Sequence, residues 1–439
     1  MSAREASGDA ACFGSHASSK RGTAQAAKTE TDPAGGRCLQ ALVVAIDQAS
    51  DARQWYTATK ELQLSSLSLC EACRGAHTVH LRVDIRTPTT LLESVDAPRQ
   101  NPDGGVLSRV PRLRGRRVTW KLPSADLLSN RMEALSEAEE LYFCDPFDAS
   151  LEIRAWPNRL KKIVINPWSM SDHSIVGVTW PTSLQQLTFG LGFNQPIEEV
   201  KWPMSLERLD FGWSFNQPIK GVTWPTSLQH LNFLSRFNQR IDGFVWPPLL
   251  QELIFGGYFN QPIGGVVWPT SLRYLSLGHA FNQSVHGIAW PPLLDVLIFG
   301  RRFNQPINSV TWPKSLQNLW FGDKFNQSID GVAWPSSLRQ LVFGENFNQP
   351  LEGTSWPSSL RELRLRGSFL QSLQKLDTVM PALEQLTLQL WSDPFRNSIL
   401  CDVEWPAGLT HLVVGSDDHL EGVSVPPTVS VSYDRAYDW

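Results

Sequence analysis

One 22-residue pattern, repeated without a change of length, constrains the fold of this chain more than any other feature. A Trp-Pro pair returns at that period from Trp180 to Trp356, and a Phe-Asn pair returns at the same period from Phe193 to Phe347. A short repeat of fixed length is the signature of a solenoid, in which each unit packs mainly against its neighbours. The 439 residues therefore need not be divided into several ordinary domains.

The order of apolar residues within one unit predicts its secondary structure. Leu187 and Phe189 alternate with polar residues, which predicts a short strand, and Gly190 then allows a sharp turn. A second extended run is predicted from Ile197 to Trp202, where Pro203 ends it because proline lacks a donor for strand pairing. If successive units stack, the first strand of each unit pairs with its equivalent in the next, and a parallel sheet results.

The spacing of apolar residues extends the pattern beyond the regular block. Leu141 and Phe143 match the first strand, and Trp405-Pro406 closes the series. We therefore predict a mainly β chain, with a parallel β-solenoid of about twelve units over residues 126–422. Residues 1–37 lack apolar periodicity and are predicted to be disordered. Residues 38–125 are predicted to form a divergent N-terminal cap of mixed structure, and residues 423–439 a C-terminal tail or cap.

The unit resembles the FNIP repeat, a short relative of the leucine-rich repeat, across roughly residues 126–415. The resemblance lies in the spacing L-x-x-L-x-F followed by F-N-x-P-I, and it is most specific at Phe193–Ile197, Phe215–Ile219 and Phe303–Ile307. It implies a non-catalytic solenoid that mediates contacts with other proteins.

Charge and cysteine content restrict the classes of partner. Only 19% of residues are charged and the net charge is −4, so the overall field does not favour nucleic acid. Six cysteines are scattered outside the regular block, which is not a disulfide framework and suits a reducing compartment. No apolar run is long enough to span a membrane. We expect a cytoplasmic protein, with the nucleus as a second possibility, that binds a protein or peptide; its oligomeric state is left open.

Motifs for chemistry are sparse. The sequence contains no Gly-rich phosphate loop, nucleophile elbow or H-E-x-x-H motif, so we expect neither an enzyme nor a cofactor. Four potential zinc ligands fall close together in the cap, at Cys70, Cys73, His77 and His80. Zinc sites usually separate two ligand pairs by a longer loop, so we favour two ordinary thiols over a metal site. A basic run at residues 109–117 is interpreted as the solvated face of a half-buried strand.

The best indication of function is variation inside the fixed pattern, because positions that packing does not fix are free to contact a partner. Outward positions of the first strand become apolar in adjoining units, at Ile254, Tyr274, Val296, Ile298, Trp320 and Val342. Polar and aromatic residues of the turns border them, at Tyr258, His279, Arg301, Arg302 and Lys324. An apolar patch with a polar rim is typical of an interaction surface, with Trp320 as its expected anchor. Cross-strand packing that only stiffens the sheet is the alternative interpretation.

Two further rows recur in every unit. The tryptophans could form a stacking surface for carbohydrate, but each precedes a proline at the end of an apolar run, which favours the core. The asparagines from Asn194 to Asn348 are predicted to bond turn backbone within and between units, since an unpaired buried amide is costly. A structural spacer without a specific ligand remains the third functional hypothesis.

Overall fold

The structure is a computed structural model. It describes the backbone of residues 83–84 and 119–122, and residues 138–143, 151, 156–165, 168–243, 245–390, 399–400, 402–415, 420 and 422–433. The predicted disordered segment at 1–37, the basic run at 109–117 and the four potential zinc ligands Cys70, Cys73, His77 and His80 lie outside the described residues. Most of the predicted cap at 38–125 does so too.

The described strands form one parallel sheet in which every strand pairs with the strands before and after it in the sequence. The chain therefore advances by one strand per turn, as a parallel β-solenoid must, and the predicted fold class is confirmed. Thirteen of the sixteen strands, β3 to β15, lie within residues 126–422, for which about twelve units are predicted. The strands are β1 (Val83–Asp84), β2 (Thr119–Leu122), β3 (Glu140–Phe143), β4 (Lys162–Ile165), β5 (Gln186–Thr188), β6 (Arg208–Asp210), β7 (His230–Asn232), β8 (Glu252–Ile254), β9 (Tyr274–Ser276), β10 (Val296–Ile298), β11 (Asn318–Trp320), β12 (Gln340–Val342), β13 (Glu362–Gly367), β14 (Gln385–Leu390), β15 (His411–Val414) and β16 (Ser430–Tyr433).

The register of the sheet follows the repeat. From β5 to β13 each strand residue pairs with the residue 22 positions later, as Leu187 does with Leu209. The strand predicted at Leu187 to Phe189 begins one residue earlier and ends at Thr188. Phe189 still continues the ladder, because its N–H donates to the carbonyl oxygen of Asp210 at 2.9 Å.

The second predicted extended run forms no strand, which corrects that part of the sequence interpretation. Ile197, Val200 and Trp202 are buried as expected. The backbone between them turns instead, and the Val200 N–H donates to the Ile197 carbonyl oxygen at 3.2 Å. Apolar residues three positions apart face the same side in a turn, whereas a strand requires a spacing of two. One wall of each coil is therefore a strand and the rest is a series of turns.

Aromatic columns fill the interior and run from coil to coil. Phe189 and Phe211 lie 5.9 Å apart between ring centroids, with planes only 7° from parallel. Within a coil Phe189 lies 4.0 Å from Phe193, so the two phenylalanine columns also contact each other. Each coil thus covers apolar surface that its neighbours would otherwise expose, and this is why a single repeat cannot be stable alone.

A glycine column follows the strands and fixes how closely the coils approach. A Cβ atom added to Gly300 would lie 1.6 Å from the carbonyl oxygen of Gly278 in the preceding coil. No side chain fits there without a backbone shift. Leu234 occupies this column in the coil that contains β7, and its φ of 49° is in the left-handed region that disfavours a leucine. The Asn232 side chain supports it by accepting the Leu234 N–H at 3.0 Å.

The coils at both ends are less regular than the central block. One helix occurs within the described ranges, α1 (Leu376–Val379), and it lies in the connection from β13 to β14. None of the helices described is both long and apolar enough to cross a bilayer.

Strands β1 and β2 precede residue 126 and β16 follows residue 422, so the sheet passes both predicted boundaries of the solenoid. The boundaries themselves stay predictions.

Candidate interaction surface

The predicted contact residues lie on the outward face of the sheet, where they are half-buried rather than exposed. In the strands β6 to β11 the middle residue is buried and the residues on either side are intermediate. Adjacent strands are only about 4.8 Å apart, so outward side chains cover one another. Val342 is covered furthest and is 8% exposed. The half-buried members are Ile254, Tyr274, Val296, Ile298 and Trp320.

Strand pairing brings most of these residues together in two columns. Ile298 pairs with Trp320, and Trp320 pairs with Val342. In the other column Val296 pairs with Tyr274. Ser276 separates Ile298 from Ile254, which leaves Ile254 at one end of the apolar group. We call the six residues from Ile254 to Val342 the strand patch.

Hydrogen-bonded polar side chains bound the strand patch in both directions along the sheet. On the β12 and β13 side, the Trp320 indole Nε1 donates to Gln340 Oε1 at 2.8 Å, and Gln340 Nε2 donates to Glu362 Oε2 at 2.8 Å. On the β7 and β8 side, His230 Nδ1 lies 2.6 Å from Glu252 Oε2. These bonds hold the Trp320 ring in one orientation and bound the strand patch within β8 through β12. The outward row is apolar again at Tyr142 and Val164, in β3 and β4.

Electrostatics favour a neutral centre in the patch and charges at its border. Burial, together with the charge of Glu252, raises the pKa of the Tyr274 phenol, which therefore stays protonated at neutral pH. At the border, Arg301 Nε donates to Asp323 Oδ2 at 2.7 Å. This bond raises the pKa of Arg301 above its ordinary value.

The predicted rim lies in the turns that follow the strands. Backbone hydrogen bonds align these turns from coil to coil: the Arg302 N–H donates to the His279 carbonyl oxygen at 3.0 Å, and the Lys324 N–H donates to the Arg301 carbonyl oxygen at 2.9 Å. The side chains of Tyr258, Arg301, Arg302 and Lys324 are all exposed there. The rim is thus a single column beside the carboxyl ends of the strands.

The tryptophan row belongs to the core. The eight rings from Trp180 to Trp334 are between 4% and 9% exposed. Neighbouring rings are nearly parallel, as for Trp180 and Trp202, whose centroids lie 6.4 Å apart with an angle of 14° between planes. The ring faces are turned toward other rings rather than toward solvent. A carbohydrate could not stack on them without opening the coils.

The asparagine row is structural, as predicted. Asn194 Oδ1 accepts the N–H of Asn216 in the next coil at 2.8 Å, and the Asn194 carbonyl oxygen accepts Gln217 Nε2 at 2.8 Å. The bond between amide and backbone recurs in each coil as far as Asn348. Asp172 begins the row by accepting the Asn194 N–H at 2.6 Å.

The sequence interpretation missed a second group of exposed apolar residues in the turn column, among them Trp168, Met170, Trp213 and Leu234. They lie in the coils of β4 to β7, before the strand patch begins. One signal was present in the sequence, because a large side chain at 234 replaces the glycine that most coils carry there. The backbone ladder also aligns Trp168 with that glycine column, since the Gly192 N–H donates to the Ser169 carbonyl oxygen at 2.9 Å.

Comparison with known proteins agrees with the repeat and the fold. The FNIP Repeat family model matches residues 193–235, 215–258, 237–280, 281–324 and 325–368. Among solved structures, the chain is similar to CroV588, described as a novel circular LRR protein, with 31% identity and a TM-score of 0.59. That match covers 72% of this chain and 46% of CroV588, so the chain spans about half the length of that relative.

A second solved structure, the internalin inlF of Listeria monocytogenes, is 12% identical over 66% of this chain and 77% of its own, with a TM-score of 0.34. Among curated proteins none matches. The five family matches lie in the block where the strand register is most regular. The chain therefore contains FNIP repeats over residues 193–368 and is built as a parallel solenoid of leucine-rich-repeat type.

Proposed function

We propose that this protein is a non-enzymatic scaffold that binds a protein or peptide through the strand patch. Repeat solenoids of this type typically serve as interaction scaffolds. The observation that carries the proposal is the group of apolar side chains in the adjoining strands β8 through β12, between polar groups that are hydrogen-bonded to one another. Cross-strand packing alone would also place apolar residues in adjoining coils, but it would not require the exposed cations Arg302 and Lys324 beside them.

The geometry favours binding at a low entropic cost. Outward side chains on paired strands are already restricted, so little rotamer freedom remains to be lost when a partner docks. Trp320 is the expected anchor because its indole is fixed by Gln340 and its ring is flanked by Ile298 and Val342. Arg302 and Lys324 would select an acidic border on the partner and increase the rate of encounter.

The test replaces two patch residues by side chains that the same row already carries in other coils. Ile298→Ser copies Ser276 and Trp320→Asn copies Asn232, so the double variant should fold like the wild type. Thr188→Ser, on the polar part of the same row, is the matched control. Tagged wild-type, double-variant and control chains are each expressed in the native cell, and their bound proteins are quantified by mass spectrometry.

We expect a defined set of proteins to bind the wild type and the control, and to be reduced at least tenfold on the double variant. An unchanged set on a double variant with wild-type circular dichroism would refute the assigned surface. If neither the wild type nor the control retains any protein above background, the scaffold proposal is refuted. That result would support the hypothesis that the protein is a structural spacer without a specific ligand.

A further inference from the structure

The turns that follow strands β4 to β12 form a continuous column on the surface. In each, a backbone N–H donates to a carbonyl oxygen of the preceding turn, for example Ser214 to Leu191 and Arg236 to Trp213, both at 2.9 Å. The ladder continues to Ser368, which donates to Glu345 at 2.7 Å. Side chains of this column therefore stand at regular steps of about 4.8 Å along the solenoid. We call the column from Trp168 to Lys324 the turn stripe.

The first half of the turn stripe is mainly apolar and exposed, and Arg236 is the one exposed cation among its described residues. Trp168 and Met170 are each 74% exposed, Tyr258 is 61% exposed and Trp213 is 48% exposed. Leu234 stands among them with 37% exposure. Large apolar side chains gathered at an accessible edge carry a cost in water, and such groups mark interaction sites.

Leu234 provides a second, independent observation. Its φ of 49° is left-handed, a conformation that glycine tolerates and leucine does not favour; of the glycines described in this column, Gly278 alone also has a positive φ. A leucine kept in an unfavourable conformation, with its side chain directed to solvent, points to a role outside folding.

The second half of the turn stripe is basic. Arg301 is paired with Asp323, whereas Arg302 and Lys324 are exposed and form no ion pair with any residue that the structure describes. His279 precedes them in the same column. Apart from Arg236, the stripe thus changes from apolar to cationic along its length, and a ligand that satisfies it must change in the complementary way.

We infer that the turn stripe binds an extended peptide segment that is apolar at one end and acidic at the other. Seven steps of about 4.8 Å separate the turn of Met170 from the turn of Lys324, a distance of about 34 Å. An extended peptide of about ten residues spans this distance. Its apolar side chains contact Met170, Trp213 and Tyr258, and its carboxylates reach Arg302 and Lys324. This inference does not depend on the strand patch.

Other occupants fit less well. Two copies related by a two-fold axis through the apolar half would cover that half alone and leave Arg302 and Lys324 without a partner. An anionic membrane would meet Asp323 and Glu345 in the same column as the cations. A peptide covers both halves of the stripe and can place its carboxylates opposite Arg302 and Lys324 alone, whereas a membrane presents its charge uniformly.

The test begins with a random twelve-residue peptide library displayed on phage and selected on the full-length chain. Selected sequences are made as fluorescein-labelled peptides, and their affinities are measured by fluorescence anisotropy at low and high salt. Two variants copy residues that the same positions carry in neighbouring coils: Trp213→Ser copies Ser235, and Arg302→Ala copies Ala280. Ile298→Ser combined with Trp320→Asn tests the strand patch separately.

We expect the selected peptides to combine aliphatic or aromatic residues with at least two acidic residues toward one end. Their affinity should fall at least tenfold with Trp213→Ser, at least threefold with Arg302→Ala and further with added salt, while the strand-patch variant binds as tightly as the wild type. Three results would overturn the inference: no enriched peptides, enriched peptides without acidic residues, or affinities insensitive to both stripe variants. Binding to 3:1 phosphatidylcholine–phosphatidylserine vesicles, or dimerisation, that is lost with Trp213→Ser would assign the stripe to a membrane or a second copy instead.

Discussion

The asparagine ladder makes a quantitative prediction for Asn260→Ala. The Asn260 Oδ1 atom accepts two bonds from the next coil, from the Asn282 N–H at 2.9 Å and from Gln283 Nε2 at 3.1 Å. Alanine removes this acceptor and leaves the two donors to water or to other groups. A net contribution of about 0.5–1.5 kcal/mol per hydrogen bond, reduced because Asn282 is near solvent, gives a destabilisation of about 1–2 kcal/mol.

Hydrogen exchange measured by mass spectrometry tests this figure at the affected coil. A loss of about 1–2 kcal/mol corresponds to an exchange rate about 5 to 30 times faster for the amide of Asn282. The matched control is Asn260→Asp, which keeps the acceptor oxygen, as Asp172 does at the first rung of the same ladder. Protection equal to wild type in the alanine variant, or equal losses in both variants, would show that the ladder does not hold the coils together.

Three more predictions follow from the packing of the coils. Leu249→Ser should stabilise the protein by about 1 kcal/mol in urea denaturation. Most coils carry a serine at this position, and its hydroxyl donates to a backbone carbonyl oxygen of the preceding coil. At position 249 the acceptor would be the carbonyl oxygen of Leu228. Gly300→Ala should destabilise it by about 3 kcal/mol in the same assay, because its Cβ would meet backbone, whereas Gly264→Ala, with open space around it, should be nearly neutral. Tyr274 should ionise above its ordinary pKa of 10.0, as followed by absorbance at 295 nm. The unfolded chain then loses this proton first, so stability present below pH 10 declines as pH rises.

Each of these predictions has a control in the chain. Leu249→Ala removes the same exposed side chain without supplying a hydroxyl, so an equal gain would disprove the hydrogen-bond explanation. Comparable losses for Gly300→Ala and Gly264→Ala would mean that the close approach of the coils is not the cause. The Tyr274→Phe variant identifies which titration step belongs to that phenol, and an ordinary step in the wild type would contradict its burial.

The repeat period was sufficient to predict the sheet, its parallel pairing and the aromatic core. These properties follow from local spacing: Leu187 and its equivalents recur at one fixed interval, and only stacked coils place every one of them inside. The role of the asparagine row was also predictable, since a polar residue that repeats at a fixed place beside buried phenylalanines must satisfy its own hydrogen bonds.

Properties that depend on distances between coils were not predictable from spacing alone. The sequence places Val342 on the outward row, yet its neighbours cover it, because burial on a sheet depends on the size of residues one coil away. The apolar half of the turn stripe was missed for a related reason. Trp168 and Trp213 hold different positions within their own repeats, and only the backbone ladder of the turns shows that they belong to one column.

The tolerance of the sheet for connections of unequal length has an evolutionary consequence. The pairing is preserved where 23 residues separate Glu362 from Gln385, where 26 separate Gln385 from His411 and where 19 separate His411 from Ser430. Within the regular block, loss or duplication of 22 consecutive codons, wherever it starts, joins two partial turns into one whole turn. Recombination between near-identical segments of the gene could therefore lengthen or shorten the molecule one rung at a time, and bring distant contact residues into new proximity, without inventing a new fold.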